Sequence, residues 1–408
     1  MKKQLAACGL AVAATASHAQ SSVTLYGIVD IGLTYTNNAQ TGVTGGVPRG
    51  GAQFAISDAH TTGLSGSRWG LRGKEELGGG LSAIFVLENG FMANSGALAQ
   101  GGAEFGRQAY VGLMSANVGT ITLGRQYDPL VDSVQPFGAS GAWGGYMSSH
   151  LNDVDNLSNT NRINNSIKFT TPTFHGLRAG ALYSFGGVAG NQSQNQIWSV
   201  GASYSSDTFA AGIGYLNARN PNVSFYGNTP NKGLASADNL GSFGSATTPE
   251  SSPAIAGYAS AHTTEILGGG ASYTLGAATV SAVVTNTRFD SLGASSGPNP
   301  RGYVGHAAFT SAELGVRYRW MPALLTGVAF DYTKRNSVNG DGGAKYLQLD
   351  LGAIYSLSKR TDLYALAVLQ RAMGRDSLGQ PAVANVSGFT PSSTDKQIGL
   401  RLGIRHKF

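Results

Sequence analysis

From Val23 to Phe408, apolar residues return at every second position in short segments. After residue 20 they never run together for the ~18 residues that a membrane-spanning helix needs. A period of two belongs to a strand with one greasy and one polar face. The last segment shows it best: Ile398, Leu400, Leu402, Ile404 and Phe408 share one parity, and Gln397, Arg401, Arg405 and Lys407 the other. The first behaves alike, with Val23, Leu25, Val29, Ile31, Leu33 and Tyr35 opposing Thr24, Tyr26, Asp30 and Thr34. Fourteen further segments lie near 65–77, 81–92, 105–115, 119–127, 161–172, 176–186, 195–205, 208–218, 261–275, 277–290, 309–321, 323–335, 344–358 and 360–373.

The connections alternate between tight and long. Gly78-Gly79-Gly80, Ala116 to Val118, Pro172 to His175, Ser205 to Asp207, Gly276, Met321-Pro322 and Ser358-Lys359 are tight, and the rest are long and rich in Gly, Ser, Asn and Pro. That rhythm argues against a compact soluble domain and for a membrane barrel with short periplasmic turns and long extracellular loops. Hydrocarbon offers a sheet edge no hydrogen-bond partner, so the sheet must close, first strand on last. The expected fold is all-β, one sixteen-stranded antiparallel transmembrane β-barrel over residues 20–408. Composition fits: with 59 glycines and 12% charged residues, mean hydropathy is -0.07, the near-neutral balance of strands apolar on one face.

Lys2 and Lys3 precede an uncharged run to Thr15 and small residues at Ser17 and Ala19, the pattern of an export signal over residues 1–19. Leu5-Ala6-Ala7-Cys8-Gly9 approaches a lipoprotein box, but most of the apolar region follows Cys8 instead of preceding it. Cleavage after Ala19 would remove the chain's one cysteine and leave no disulfide. The net charge of +6, less Lys2 and Lys3, is +4. Its arginines are dispersed, which points away from a nucleic-acid surface.

Five motifs in order resemble the general diffusion porins of Gram-negative outer membranes, in their beta-proteobacterial form. They are Ser21-Ser22-Val23-Thr24-Leu25-Tyr26-Gly27, Ser67-Arg68-Trp69-Gly70-Leu71-Arg72-Gly73-Lys74-Glu75, Gly106-Arg107-Gln108-Ala109-Tyr110-Val111-Gly112-Leu113, Gly124-Arg125-Gln126-Tyr127 and Arg405-His406-Lys407-Phe408. The resemblance implies a homotrimer in outer-membrane lipid and lipopolysaccharide, with a third loop, from Tyr127 to about Asn161, folded inward to narrow each channel. It implies wall arginines at Arg68, Arg107 and Arg162 facing acidic loop residues, here Asp132 and Asp128. The family's Pro-Glu-Phe-Gly element reads Gln135-Pro136-Phe137-Gly138, without its glutamate. Phe408 resembles the terminal aromatic by which the barrel assembly machinery recognises its clients.

A charge-selecting pore needs fixed ionic groups at a narrow wet point, and arginine keeps its charge in any surroundings. Alternation turns Arg68, Arg72 and Lys74 inward against Trp69 and Leu71, and Arg162, Ser166 and Lys168 inward against Ile163, Ile167 and Phe169. Arg107 shares parity with Ala109 and Val111, so only the resemblance places it inward. Arg72, Arg125, Lys168, Arg401 and Asp30 are further lumen candidates. The competing reading of each charge is a salt bridge packing the wall or a loop base. Tyr26, Tyr35, Tyr183, Trp198, Tyr204, Tyr215, Tyr318, Trp320, Tyr355 and Phe408 read as interfacial girdles, with a sugar slide as the alternative.

No catalytic constellation emerges. Gly63-Leu64-Ser65-Gly66-Ser67 lacks the last glycine of a nucleophile elbow, the seven histidines have no metal-ligand spacing, and Asp153-Val154-Asp155-Asn156 lacks a calcium loop's glycine and distal glutamate. The expected function is passive diffusion of small hydrophilic solutes and ions, weakly favouring anions, with no cofactor or metal. The alternatives are a substrate-specific channel, a closed barrel acting as adhesin or structural protein, and a membrane hydrolase, for which no outward Ser-His pair exists.

Overall fold

The computed structural model describes residues 21–227 and 233–408; the expected export signal lies outside them. Seventeen strands form one antiparallel sheet: β1 (Ser21–Thr44), β2 (Val47–Asp58), β3 (Arg68–Gly78), β4 (Leu81–Gly90), β5 (Gln108–Ser115), β6 (Gly119–Gln126), β7 (Ile163–Thr170), β8 (Leu177–Ser184), β9 (Ile197–Ser205), β10 (Phe209–Arg219), β11 (Thr263–Leu275), β12 (Ala278–Leu292), β13 (Gly305–Met321), β14 (Leu324–Arg335), β15 (Ala344–Ser356), β16 (Thr361–Gly374) and β17 (Lys396–Lys407). β3 pairs with β1 from Ser21 to Ile28, and β2 pairs with the same strand from Ile31 to Thr44. β2 and β3 are thus one interrupted stave, and the barrel has sixteen. β1 meets β17 from Ile28↔Lys407 to Thr36↔Gly399, so the sheet closes. No helix is long and apolar enough to cross a membrane among the described residues.

Each expected strand is present, but the first connection is not the loop the sequence suggested. β1 runs on to Thr44, turns at Gly45-Gly46 and returns as β2. Register shifts between Thr36 and Ala39 and between Gln40 and Gly42 break the alternation, and the hairpin's many glycines and polar residues hide it further. Residues 59–67, between β2 and β3, then bend inward. The Gly63 carbonyl accepts from the Tyr146 amide on the third loop at 2.9 Å, and Thr62 accepts from Arg401 on β17, the strand on the other edge of β1, at 2.6 Å.

The barrel is inside out relative to a soluble fold, as lipid requires. Leu33, Leu314, Leu400, Leu402 and Ile404 lie exposed on its outside, whereas Thr34, Glu313, Gln397 and Arg401 are buried within. Of the girdle aromatics, Tyr204, Tyr318, Trp320, Tyr355 and Phe408 are exposed. Tyr26 is instead a lumen residue, its hydroxyl donating to Glu88 at 2.9 Å, because it falls on the polar parity of β1.

The third loop folds into the lumen and packs against one side of the wall. After Asp128, which caps it, the short helix α1 (Pro129–Val134) lies against β8 to β11. The wall is made of glycine where it passes. A Cβ on Gly201 would come 2.2 Å from the Pro129 carbonyl, one on Gly212 2.0 Å from that of Ser133, and one on Gly270 2.9 Å from Phe137. This accounts for Gly268 and Gly270, whose Cβ atoms would meet Leu130 and Phe137, and not for Gly269 between them, which faces away from the loop. Further on, Trp143 lies flat on Gly327 and Gly352, 2.3 and 2.7 Å from where their Cβ atoms would be. Leu130, Val134, Phe137, Leu151, Val154 and Leu157 of this loop merge with Tyr258 and Phe289 into one apolar core on that side.

Gly327→Leu would place a branched side chain in the volume of the Trp143 indole. Overpacking of this kind costs about 1–3 kcal/mol, and it should fall on loop docking and not on the strand ladder. With Ala142→Cys as reporter, thiol labelling should quicken at least ~5-fold on adding Gly327→Leu, with unchanged β-type circular dichroism. Equal labelling rates would contradict the docking role of the glycine lane.

Candidate functional site

On the side of the barrel opposite the packed loop lies a polar cavity of about 500 Å³, bounded by residues 59–66, the second loop and the neutral face of the third. Arg68, Arg107 and Arg162 all line it. Arg68 stands at the head of β3, where its Nε donates to the Gly66 carbonyl at 3.1 Å. Arg162, just before β7, donates to the Thr160 carbonyl at 3.1 Å and lies over the Tyr127 ring at 5.6 Å. Neither guanidinium is in an ion pair among the described residues. Arg107 differs: its Nε pairs with Glu88 at 2.7 Å, Nη2 donates to the Tyr127 hydroxyl at 2.9 Å, and Nη1 donates to His60 Nε2 at 3.3 Å. It precedes β5, so strand parity never governed it.

From the loop side the cavity is met by Gln135, Ser140, Gly141 and Tyr146, and no carboxylate lines it among the described residues. Gln135 stands where the resemblance would have put the glutamate's element. Asp128 is fully buried. Its Oδ1 accepts from the amides of Leu130 at 2.9 Å and Val131 at 3.2 Å as the α1 cap, and burial pushes its carboxyl up to about 6. Asp132, on α1, pairs with Lys168 Nζ at 2.5 Å, so both are spent on each other away from the arginines.

The remaining candidates are dispersed. Arg72 lies over Tyr26 at 5.4 Å. Arg125 ties strand ends together, donating to the Gly106 carbonyl at 2.8 Å and to Asn164 Oδ1 at 2.5 Å; a register shift between Gly124 and Gln126 turns it out of simple alternation. Asp30 and Arg401 face one another at 3.4 Å, both fully buried. Arg401 also donates to Ser57 and Thr62, and Tyr364 bridges it to Asp30, so this pair fastens the inward segment to the wall. Phe408 ends the ladder, exchanging backbone hydrogen bonds with Gly27 at 3.0 and 3.1 Å.

The sequence reading missed His60 and Glu88. His60 Nδ1 donates to Asp58 at 2.9 Å, leaving Nε2 to accept from Arg107. Burial, with the nearby Arg107 charge, holds its pKa below the ordinary histidine value although Asp58 pulls the other way. Glu88 is the lone acid of its strand, but it shares parity with Ile84 and Val86, so alternation did not mark it as a lumen residue.

The family model for Gram-negative porins matches residues 6–372. An outer membrane porin protein of Bordetella pertussis is 37% identical over 227 residues, 53% of this chain and 57% of that protein. Outer membrane porin protein 32 of Delftia acidovorans is 31% identical over the full length of both chains. Among solved structures, an anion-selective porin from Comamonas acidovorans superposes with a TM-score of 0.67 at 24% identity, covering 95% of this chain and 100% of that one. A closed β-barrel that is greasy outside, narrowed by its own third loop and lined by arginine belongs with these proteins: the chain is a member of the Gram-negative porin family, a non-enzymatic, channel-forming barrel of the outer membrane.

Proposed function

We propose that the protein is a weakly anion-selective channel for passive diffusion of small hydrophilic solutes and ions. The observation that carries this reading is the cavity lined by Arg68, Arg107 and Arg162 with no carboxylate on its lining among the described residues. Because Glu88 offsets Arg107, the selecting charges are Arg68 and Arg162. A unit charge ~5 Å from a permeating ion in water-like surroundings contributes about 0.8 kcal/mol, roughly 4-fold in local concentration. The selectivity is therefore modest and weakens as salt screens it. The anion preference named for the Comamonas protein agrees with this reading.

The working unit is a homotrimer embedded in lipid and lipopolysaccharide. Its support is an apolar groove on the outer wall, lined by Leu33, Phe54, Ile56, Leu351, Leu400 and Leu402, beside β2, whose far edge has no partner strand among the described residues. A second copy of the chain would cover both. Residues 1–19 serve as the export signal, and Phe408 as the mark read by the barrel assembly machinery.

Three measurements test this. In planar bilayers under a salt gradient, the wild-type reversal potential should have the anion sign, and Arg68→Ala with Arg162→Ala should bring the permeability ratio close to one. A cation sign unaffected by these changes would overturn the selectivity. Since burial holds the His60 pKa below the ordinary histidine value, the imidazole is neutral at pH 7, and acidification through its depressed pKa should add a positive charge beside Arg107 and increase anion preference. His60→Gln should abolish that increase, and an equal increase in the variant would exclude His60 as its source. Deleting Phe408 should sharply reduce folded trimer in the outer membrane; undiminished yield would count against its role in assembly.

A further inference from the structure

We propose that His150, Glu313 and Asp331 bind a divalent transition-metal ion, with Zn(II) the ion their chemistry suits, and that this ion pins the third loop to the barrel wall. His150 belongs to the loop, Glu313 to β13 and Asp331 to β14, so one ion would tie the loop to two neighbouring staves. The inference is independent of the channel's selectivity.

Three atoms converge there. His150 Nε2 lies 3.3 Å from Glu313 Oε2 and 3.3 Å from Asp331 Oδ2. Those separations suit ligands ~2.0–2.1 Å from a tetrahedral zinc, which stand ~3.3–3.4 Å apart. They are long for charged hydrogen bonds, and neither His150 Nε2 nor Asp331 Oδ2 has a hydrogen-bond partner although the side chains are only 4% and 3% exposed. Orphaned buried polar atoms are costly, and here two of them face each other.

The surroundings divide the work of each side chain in the way a metal site does. Glu313 uses Oε1 to accept from the Ala139 amide at 2.7 Å, which leaves Oε2 toward His150. Asp331 uses Oδ1 to accept from Thr333 at 3.1 Å, which leaves Oδ2. His150 Nδ1 donates to Asp155 Oδ2 at 2.5 Å, and that oxygen also accepts from Thr285 at 2.7 Å. A carboxylate behind the imidazole fixes the tautomer with the Nε2 lone pair inward and raises its strength as a ligand. Charge argues the same way. Asp155, Glu313, Asp331 and the nearby Asp350 are all buried, and no lysine or arginine forms an ion pair with any of them among the described residues. A dication supplies what one imidazole cannot. Three protein ligands leave a fourth position for water.

The site closes as the loop docks, so the ion would be captured during folding. Protein refolded in detergent with Zn(II), then dialysed against metal-free buffer, should retain about one equivalent per chain by elemental analysis. Co(II) in its place should give the intense visible absorption of a tetrahedral centre. His150→Gln and Asp331→Asn, each checked for the folded form by its gel mobility, should lower retention at least ~10-fold and lose the Co(II) band. If His150→Gln does not fold, Asp331→Asn and the wild-type measurement decide. Wild-type protein that retains no ion, as it would if a proton alone occupied the cluster, overturns the proposal, and so does undiminished retention by the variants.

Discussion

Everything in this molecule depends on one requirement: a backbone amide in hydrocarbon must find its partner within the protein. The nine residue pairs from Ile28↔Lys407 to Thr36↔Gly399 meet it by joining the chain's two ends, and Phe408 extends the join to Gly27. Closure forces the rest. Residues of one parity are surrendered to lipid and the other parity is turned into a lumen, so the apolar core that a soluble protein would place between layers has no layer to occupy. The loops supply it, with Tyr258 and the third loop packing inside the wall against strand residues such as Phe289.

That inward core is lopsided, and the asymmetry creates the site. Where the wall carries glycine, at Gly201, Gly212, Gly270, Gly327 and Gly352, the loop backbone and Trp143 approach to contact and leave no passage. Where the wall carries Arg68, and Arg107 and Arg162 at strand ends, the loop turns a neutral face toward them and space remains. The arginines are held by carbonyl oxygens and an aromatic ring, which fix a guanidinium without cancelling its charge. Arg107, paired with Glu88 and wedged between Tyr127 and His60, acts as their scaffold.

The parts of this arrangement that repeat were legible in the sequence, and the parts that break the repeat were not. Period-2 alternation located every stave, because lipid on one side and water on the other impose it residue by residue. It gave no hold on β2, whose pairing with β1 is shifted twice by extra residues in β1 and whose first half includes Pro48-Arg49-Gly50-Gly51, or on residues 59–67, which form no strand and bend into the lumen. Asp30 and Arg401 lie on the polar parity of their strands, but that segment covers them and makes them an internal clamp. Asp128-Pro129 is a helix start by composition alone, a capping acid followed by proline, and that signal competes with any role as a channel acid. His60 and His150 had no spacing to betray them, since their partners come from distant strands.

The division of labour between the two faces of the third loop follows from what each kind of contact can do. Apolar packing on glycine supplies docking free energy but tolerates sliding, since dispersion contacts have little direction. Polar contacts at the loop's back, from Asp155 to Thr285 and from Glu313 to the Ala139 amide, are directional and set the register. Register matters because the field at a permeating ion falls with distance, so the loop's neutral face must stand at a fixed separation from Arg68 and Arg162. A loop that docked equally well one residue out of place would bury the same apolar area and still change the channel. The buried polar cluster behind it thus fixes where the loop stands in the lumen, although it lines no part of the arginine cavity.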